Sequence, residues 1–203
     1  MNYDFIIIGN GILGYGLAFE IAKKAPTAKI VVIGPKKRLG AASKAAGAML
    51  SAFSEVTNKT LSSEPGKIKF DMAVQAIKAW PLWLDSINSY LPKENYISIQ
   101  KGVHVVTNTK SGSLEDENYN SIIDALNLYK ESYEISENNK ISGVNPSEAV
   151  RFTKSLYLPQ EGSINTEDVL KALHYILTNC LNVTILDDNV TKLNTQNYKI
   201  TGN

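Results

Sequence analysis

The chain opens on a short apolar run, Tyr3-Asp4-Phe5-Ile6-Ile7-Ile8, which passes directly into Gly9-Asn10-Gly11-Ile12-Leu13-Gly14 and then into the helix-forming stretch Tyr15 to Lys24. That order predicts a buried strand, a tight turn and a helix. Lys29-Ile30-Val31-Val32-Ile33 is β-branched, bounded by Thr27-Ala28 and Gly34-Pro35, and predicts a second strand, so that the whole forms a βαβ unit. From Lys67 to Tyr90 the residues Ile68, Met72, Ile77, Trp80, Leu84 and Ile87 recur at helical intervals, which predicts one long amphipathic helix bent near Pro81. The pattern changes after Pro92. Tyr96 to Ile99 and Val103 to Val106 read as strands separated by a break at Lys101-Gly102, and Asp116 to Ser132 reads as a helix. Tyr157-Leu158 reads as a strand ending in the turn Pro159-Gln160-Glu161-Gly162. Asn165 or Thr166 then caps a helix running to Leu181, with Glu167 and Asp168 in its first turn. Asn182 to Leu186 and Val190 to Leu193 are strand-like, and Tyr198 to Asn203 reads as a strand arriving at a turn.

This rhythm is α/β, interrupted by a mainly β piece. The expected organisation is a nucleotide-binding domain whose first segment is residues 1–90 and whose second, incomplete segment is 162–203, with residues 91–161 inserted between them. No closing helix follows the last strand, so the chain reads as cut short at its C-terminus.

The glycine spacing at the start carries the first chemistry. Gly9 would let the chain turn out of the strand, Gly11 would let the backbone approach a pyrophosphate, and Gly14 would let the helix lie close on the strand. The helix N-terminus, with unpaired N–H groups and partial positive charge, would face the phosphates. The same spacing also fits a strand-to-helix turn that holds no ligand. Further on, Leu39-Gly40-Ala41-Ala42-Ser43-Lys44-Ala45-Ala46-Gly47-Ala48-Met49-Leu50 is too poor in bulky side chains to build a core helix, so something must pack closely on it.

Composition narrows the possibilities. A chain of 203 residues with 43% hydrophobic and 20% charged positions has an ordinary globular balance, and a net charge of +1 offers no attraction for nucleic acid or an anionic membrane. No stretch approaches the ~20 apolar residues of a membrane span. The start carries neither a basic segment nor a signal-type apolar core, so a cytoplasmic protein is expected. Cys180 is the one cysteine and falls in the apolar pattern Leu173, Ile176, Leu177, Cys180, Leu181, where it reads as a small core residue. His104 and His174 have no metal-type spacing, and no metal site is expected.

The glycine triplet, the segment from Gly40 through Ser43 to Met49-Leu50, and Leu158-Pro159-Gln160-Glu161-Gly162-Ser163-Ile164-Asn165 together resemble the FAD-dependent amino-acid oxidase family, which includes D-amino-acid, glycine and sarcosine oxidases. The resemblance runs along essentially the whole chain and matches the N-terminal portion of such enzymes. It implies FAD as cofactor, a Rossmann-like FAD-binding domain split by a mainly β substrate domain that covers the isoalloxazine ring, and oxidation of an amine or amino acid by hydride transfer to flavin. On this likeness Gly9, Gly11, Ile12, Leu13 and Gly14 lie at the pyrophosphate. Ala42 and Ser43 contact the diphosphate or ribityl region, Gly47, Ala48 and Met49 run beside the ring, and the Val190 backbone meets the adenine. No catalytic residue is named, because the cofactor carries the redox chemistry.

Two departures stand out. Where the family's second strand ends in an acid for the adenosine ribose, this chain has Gly34, followed by Pro35-Lys36-Lys37-Arg38. A backbone group of Gly34 or Pro35, or the side chain of Lys36 or Arg38, would have to replace it. A missing acid beside cations also suits the 2′-phosphate of NADP, which makes an NADP-dependent oxidoreductase one alternative; a solvated loop is another reading of the same charges. The second departure is that the family's substrate carboxylate-binding arginine and the elements closing around FAD come later than Asn203. A non-catalytic fragment needing a complementing chain, or a homo-oligomer, is therefore also open.

Overall fold

The computed structural model describes residues 2–37, 41–136, 141–194 and 199–202. Two compact units emerge. One comprises Met1–Ala48, Leu84–Ile97 and Asn165–Asn203, the other Met49–Trp83 and Ser98–Ile164. The cuts differ from the expected ones, because residues 49–83 group with the inserted piece: they supply an edge strand to its sheet and most of a helix to its core.

In the first unit, β1 (Phe5–Ile8), α1 (Ile12–Lys24) and β2 (Ile30–Ile33) form the expected βαβ unit. β2 is central in a parallel sheet of order β1-β2-β7, with β7 at Thr184–Leu186. Phe5 pairs with Ile30 and Ile8 with Ile33, while Val31 to Ile33 align with Thr184 to Leu186. Burial follows position in the sheet. Ile30, Val31 and Val32 are buried, as a central parallel strand requires. β1 departs from the buried strand the sequence predicts: only Ile7 is buried, and Ile8 is 49% exposed, because among the described residues β1 is the edge strand and pairs with β2 alone.

Helix α5 (Thr166–Asn179) lies against α1. Asn165 caps it, its Oδ1 accepting from the N–H groups of Glu167 at 3.0 Å and Asp168 at 3.4 Å. Its apolar stripe, Val169, Leu170, Leu173, Ile176 and Leu177, is buried. Cys180 is not part of that stripe: the helix ends at Asn179, and Cys180 follows it as the C-cap and is exposed. The Tyr15 hydroxyl meets His174 Nδ1 at 2.9 Å between the two helices. Val190–Asn194 (β8) and Lys199–Gly202 (β9) form a separate antiparallel hairpin; Tyr198, expected at the start of the last strand, lies outside the described residues.

The second unit is built on β6 (Phe152–Ser163), which pairs antiparallel with β4 (Gln100–Asn108) on one side and with β3 (Met49–Leu50) and β5 (Glu134–Ile135) on the other. Two sequence expectations are corrected here. Tyr96 to Ile99 precede β4 instead of forming a strand, and Lys101-Gly102 lies inside β4 opposite a bulge in β6, with Gly102 at a φ of 98°. Pro159 does not end a strand. It lies within β6, where the ladder is interrupted: Leu158 pairs with Val103 and Gly162 with Lys101, so Pro159, Gln160 and Glu161 stand opposite Gly102 alone. A residue without an N–H costs no ladder bond at such a bulge.

Helices α3 (Glu64–Asn88) and α4 (Ser113–Tyr129) belong to this part of the chain, with α3 continuing through Pro81 and ending in the first unit. The core contains Phe53, Phe70, Val74, Ile122, Leu126, Leu156 and Leu158. Phe53, Phe70 and Tyr129 meet edge to face with centroids 5.1 to 5.9 Å apart, a favoured aromatic geometry. The buried stripe of α3 therefore starts at Phe70 and Val74. Ile68 and Met72 are on the solvent side, with Met72 66% exposed.

Glu161 fastens the turn after β3 to the centre of the sheet. It is 1% exposed; Oε1 accepts from the N–H groups of Ala52 at 2.7 Å and Phe53 at 2.5 Å, and Oε2 from that of Ser54 at 3.2 Å. These bonds compensate the cost of burying a carboxylate. Glu161→Ala leaves them unmade and should lower the unfolding free energy by about 3 kcal/mol in urea titration, with Glu161→Gln losing less because one oxygen still accepts.

Tyr119 on α4 shows the opposite case. Its hydroxyl is buried without a hydrogen-bond partner among the described residues. Burial pushes the phenol above its usual 10.0, Lys154 opposes this, and Tyr133 adds to it. The folded chain thus holds this proton more tightly than the unfolded one, and the associated stability is present below pH 10.0 and lost as pH rises past it. Tyr119→Phe should unfold at the same or higher urea concentration at neutral pH, and its advantage should widen above pH 10.0.

Candidate functional site

At the carboxyl end of the parallel sheet the glycine turn is held from both sides. Gly9 leaves β1 with a φ of 103°, a region that disfavours any side chain, and its N–H donates to the Ile33 carbonyl at 2.8 Å. Gly11 is the N-cap of α1 and has no side chain to cap the helix itself. Ser43 stands in: its Oγ accepts from the Ile12 N–H at 3.1 Å. That hydroxyl would lie only 3.0 Å from a Cβ on Gly11. At Gly14 a Cβ would fall 1.8 Å from the Gly9 carbonyl oxygen, so helix and turn approach too closely for a side chain.

The tip of β2 joins the same group. Gly34 donates its N–H to the Leu186 carbonyl at 3.1 Å, extending the β2 and β7 ladder by one bond. A Cβ at Gly34 would lie 2.6 Å from Cγ of Asn10, whose carboxamide occupies that space and donates from Nδ2 to the Pro35 carbonyl at 3.0 Å. Asn10 is 6% exposed. Its role was not read from the sequence, because a residue between the glycines carries no pattern; the glycine at position 34 was the signal that something occupies its side-chain space. The Lys36 N–H donates to Asp187 Oδ1 at 2.7 Å, bringing in a carboxylate from the end of β7.

The structure thus brings together Gly9, Gly11, Ile12, Gly14, Gly34, Pro35 and Ser43, with Leu13 exposed on the first turn of α1. Ala42 opens the short helix α2 (Ala42–Ala45) that carries Ser43. Ala42 and Gly47 are exposed, and a Cβ on Gly47 would meet nothing within 4 Å. Ala48 adopts a φ of 49°, a left-handed conformation that costs a residue with a side chain about 1–3 kcal/mol. Met49 begins β3 in the second unit, and Val190 begins β8, paired with Gly202. Arg38, Leu39 and Gly40 lie outside the described residues.

What this arrangement offers a ligand is a helix N-terminus whose first N–H is taken by the Ser43 hydroxyl, with glycines at its entry. N–H groups and the helix dipole there favour an anion.

Comparison with known proteins follows the same lines. A family model described as FAD dependent oxidoreductase matches residues 4–203. No curated protein matches the chain. Among solved structures, the glycine oxidase of Geobacillus kaustophilus is similar with a TM-score of 0.72 at 19% identity, over 95% of this chain and 48% of that one. Iminodiacetate oxidase from a Chelativorans species gives a TM-score of 0.73 at 14% identity, over 98% and 50%. L-proline dehydrogenase of P. horikoshii gives 0.65 at 15%, over 98% and 48%. The chain spans about half the length of these structures, and at such identities the likeness is one of fold.

Two substitutions test the geometry of the turn. Gly14→Ala forces the Gly9 carbonyl and α1 apart and should cost about 1–3 kcal/mol of unfolding free energy. Ser43→Ala deletes a single acceptor and should cost about 1 kcal/mol. Urea unfolding that leaves Gly14→Ala as stable as the unaltered chain contradicts the close approach.

Proposed function

Because the chain belongs to the FAD dependent oxidoreductase family, we propose that it forms the cofactor-binding N-terminal half of a flavoenzyme that oxidises an amine or amino acid. The observation that carries this reading is the joint closure of the glycine turn by Gly14 and Ser43, which ties the start of α1 to the alanine-rich segment. FAD is the family's cofactor and supplies the hydride acceptor when bound.

The residues present fit that group. Gly14 lets α1 start close over the turn, Gly11 leaves room for the Ser43 hydroxyl, and the first-turn N–H groups other than that of Ile12 bind the diphosphate. Ser43 orients that turn through Ile12. Ala42, Gly47, Ala48 and Met49 offer small or slender side chains beside a flat ring, and Val190 offers backbone to the adenine; Gly34 and Pro35 complete the wall through Asn10. In this proposal the unit containing the glycine turn is the FAD-binding domain and the unit built on β6 is the substrate domain. Amine oxidation needs an imine to form and hydrolyse, and the chain's part is to position the substrate and exclude competing reactions.

A cytoplasmic location is part of this reading. No helix among the described residues is long and apolar enough to cross a membrane. A second reading has one specific support. Among the described residues the outer edge of β1 has no partner strand, and β1 carries exposed Phe5, Ile6 and Ile8, as expected of a sheet that a further chain or segment completes before catalysis.

Titration of the purified chain with FAD, followed by flavin fluorescence and gel filtration, tests the cofactor assignment. Retained flavin with a yellow absorption spectrum is the expected result. A chain that binds NADPH and not FAD overturns it. Amine oxidation appearing only after a C-terminal half is added selects the second reading.

A further inference from the structure

The ribose of an adenine dinucleotide is ordinarily held by an acid at the end of the second strand of the fold, because a carboxylate accepts from both hydroxyls of the diol. Gly34 stands at that place, and the structure gives a reason. The space a side chain would need is taken by the Asn10 carboxamide, 2.6 Å from where a Cβ would be, and Asn10 is held there by the Pro35 carbonyl. An acid on β2 would displace it.

A carboxylate is nonetheless present one strand away. β2 and β7 run parallel with Ile33 beside Leu186, and the Gly34 N–H continues the ladder to the Leu186 carbonyl, which places Gly34 and Asp187 side by side at the carboxyl ends of their strands. That is the end of an open parallel sheet at which ligands bind. Asp187 leans toward β2: its Oδ1 accepts from the Lys36 N–H at 2.7 Å, while the residue remains exposed and Oδ2 has no hydrogen bond among the described residues. Asp188 differs, its Oδ1 turned back to the Asn189 N–H at 2.7 Å.

We propose that Asp187, at the end of β7, receives the adenosine ribose diol of the cofactor in place of an acid on β2, and that Asn10 is the reason for the exchange. The inference rests on the flavin reading above and adds a selectivity to it. A ribose carrying a 2′-phosphate would bring that dianion against the Asp187 carboxylate, so the site takes an unphosphorylated diol even though Lys36 and Lys37 are close in sequence.

The test compares FAD with FAD lacking the adenosine 2′-hydroxyl, each titrated into the full 203-residue chain by flavin fluorescence. The unaltered chain should bind the deoxy analogue about tenfold more weakly than FAD. Asp187→Ala should weaken FAD about tenfold and leave the analogue nearly unchanged. Asp187→Asn keeps an oxygen for the Lys36 N–H, so it preserves the loop while removing the charge, and should show the same pattern. Equal losses for both ligands, or none, would show that Asp187 only supports the Lys36 loop and would overturn the assignment while leaving the flavin reading intact. An unaltered chain that takes up neither ligand overturns the flavin reading and this inference with it.

Discussion

The first unit depends on a contact that exists because a side chain is missing. With the Gly9 carbonyl oxygen in the place of a Gly14 Cβ, α1 can start directly over the end of β1, and its first N–H groups come to the carboxyl edge of the sheet. From that placement follow the reach of the Ile12 N–H to Ser43 and the position of Asn10 over the end of β2. A larger residue at position 14 would push the helix off the turn, and both of these bonds would lengthen together. The site is therefore a property of backbone proximity, with side chains filling in around it.

The second unit solves a different problem. A twelve-residue strand, β6, has to carry Pro159 without losing its place between neighbours on both sides. It does so by bulging opposite Gly102 of β4 and by using Glu161 from the bulged stretch as an acceptor for three successive N–H groups of the turn after β3. Polar satisfaction replaces ladder bonds where the ladder is interrupted. The aromatic trio of Phe53, Phe70 and Tyr129 then packs beside that turn, so the charged knot and the apolar core share Phe53.

What could be read from the sequence was mostly local. β1, α1 and β2 were legible because strand composition, glycine spacing and helix propensity agree over a short stretch, and α5 was legible through its Asn165 cap and apolar stripe. Features fixed by distant partners were not. Ile68 and Met72 match a helical period as well as Phe70 and Val74 do, and only the sheet beneath decides which stripe is buried. Pro159 reads as a strand end unless the bulge that holds it is known. Cys180 fits the helical pattern but falls just past the last turn. The unit boundaries were missed for the same reason: nothing within residues 49–83 announces that β3 pairs with β6. At the site the glycines were visible, whereas Asn10 and Asp187 acquire meaning only from the residues they meet.

The parallel pairing of β2 with β7 also has a kinetic side. Lys36 and Asp187, which bond across the ends of these strands, are 151 positions apart in the chain. Closing so long a loop is entropically slow, and contacts of such separation lower folding rates. During synthesis β2 must wait, with one flank unpaired, until the ribosome has delivered Thr184–Leu186, whereas the inserted unit can assemble first. The order in which the two units mature is thus written into the interruption itself.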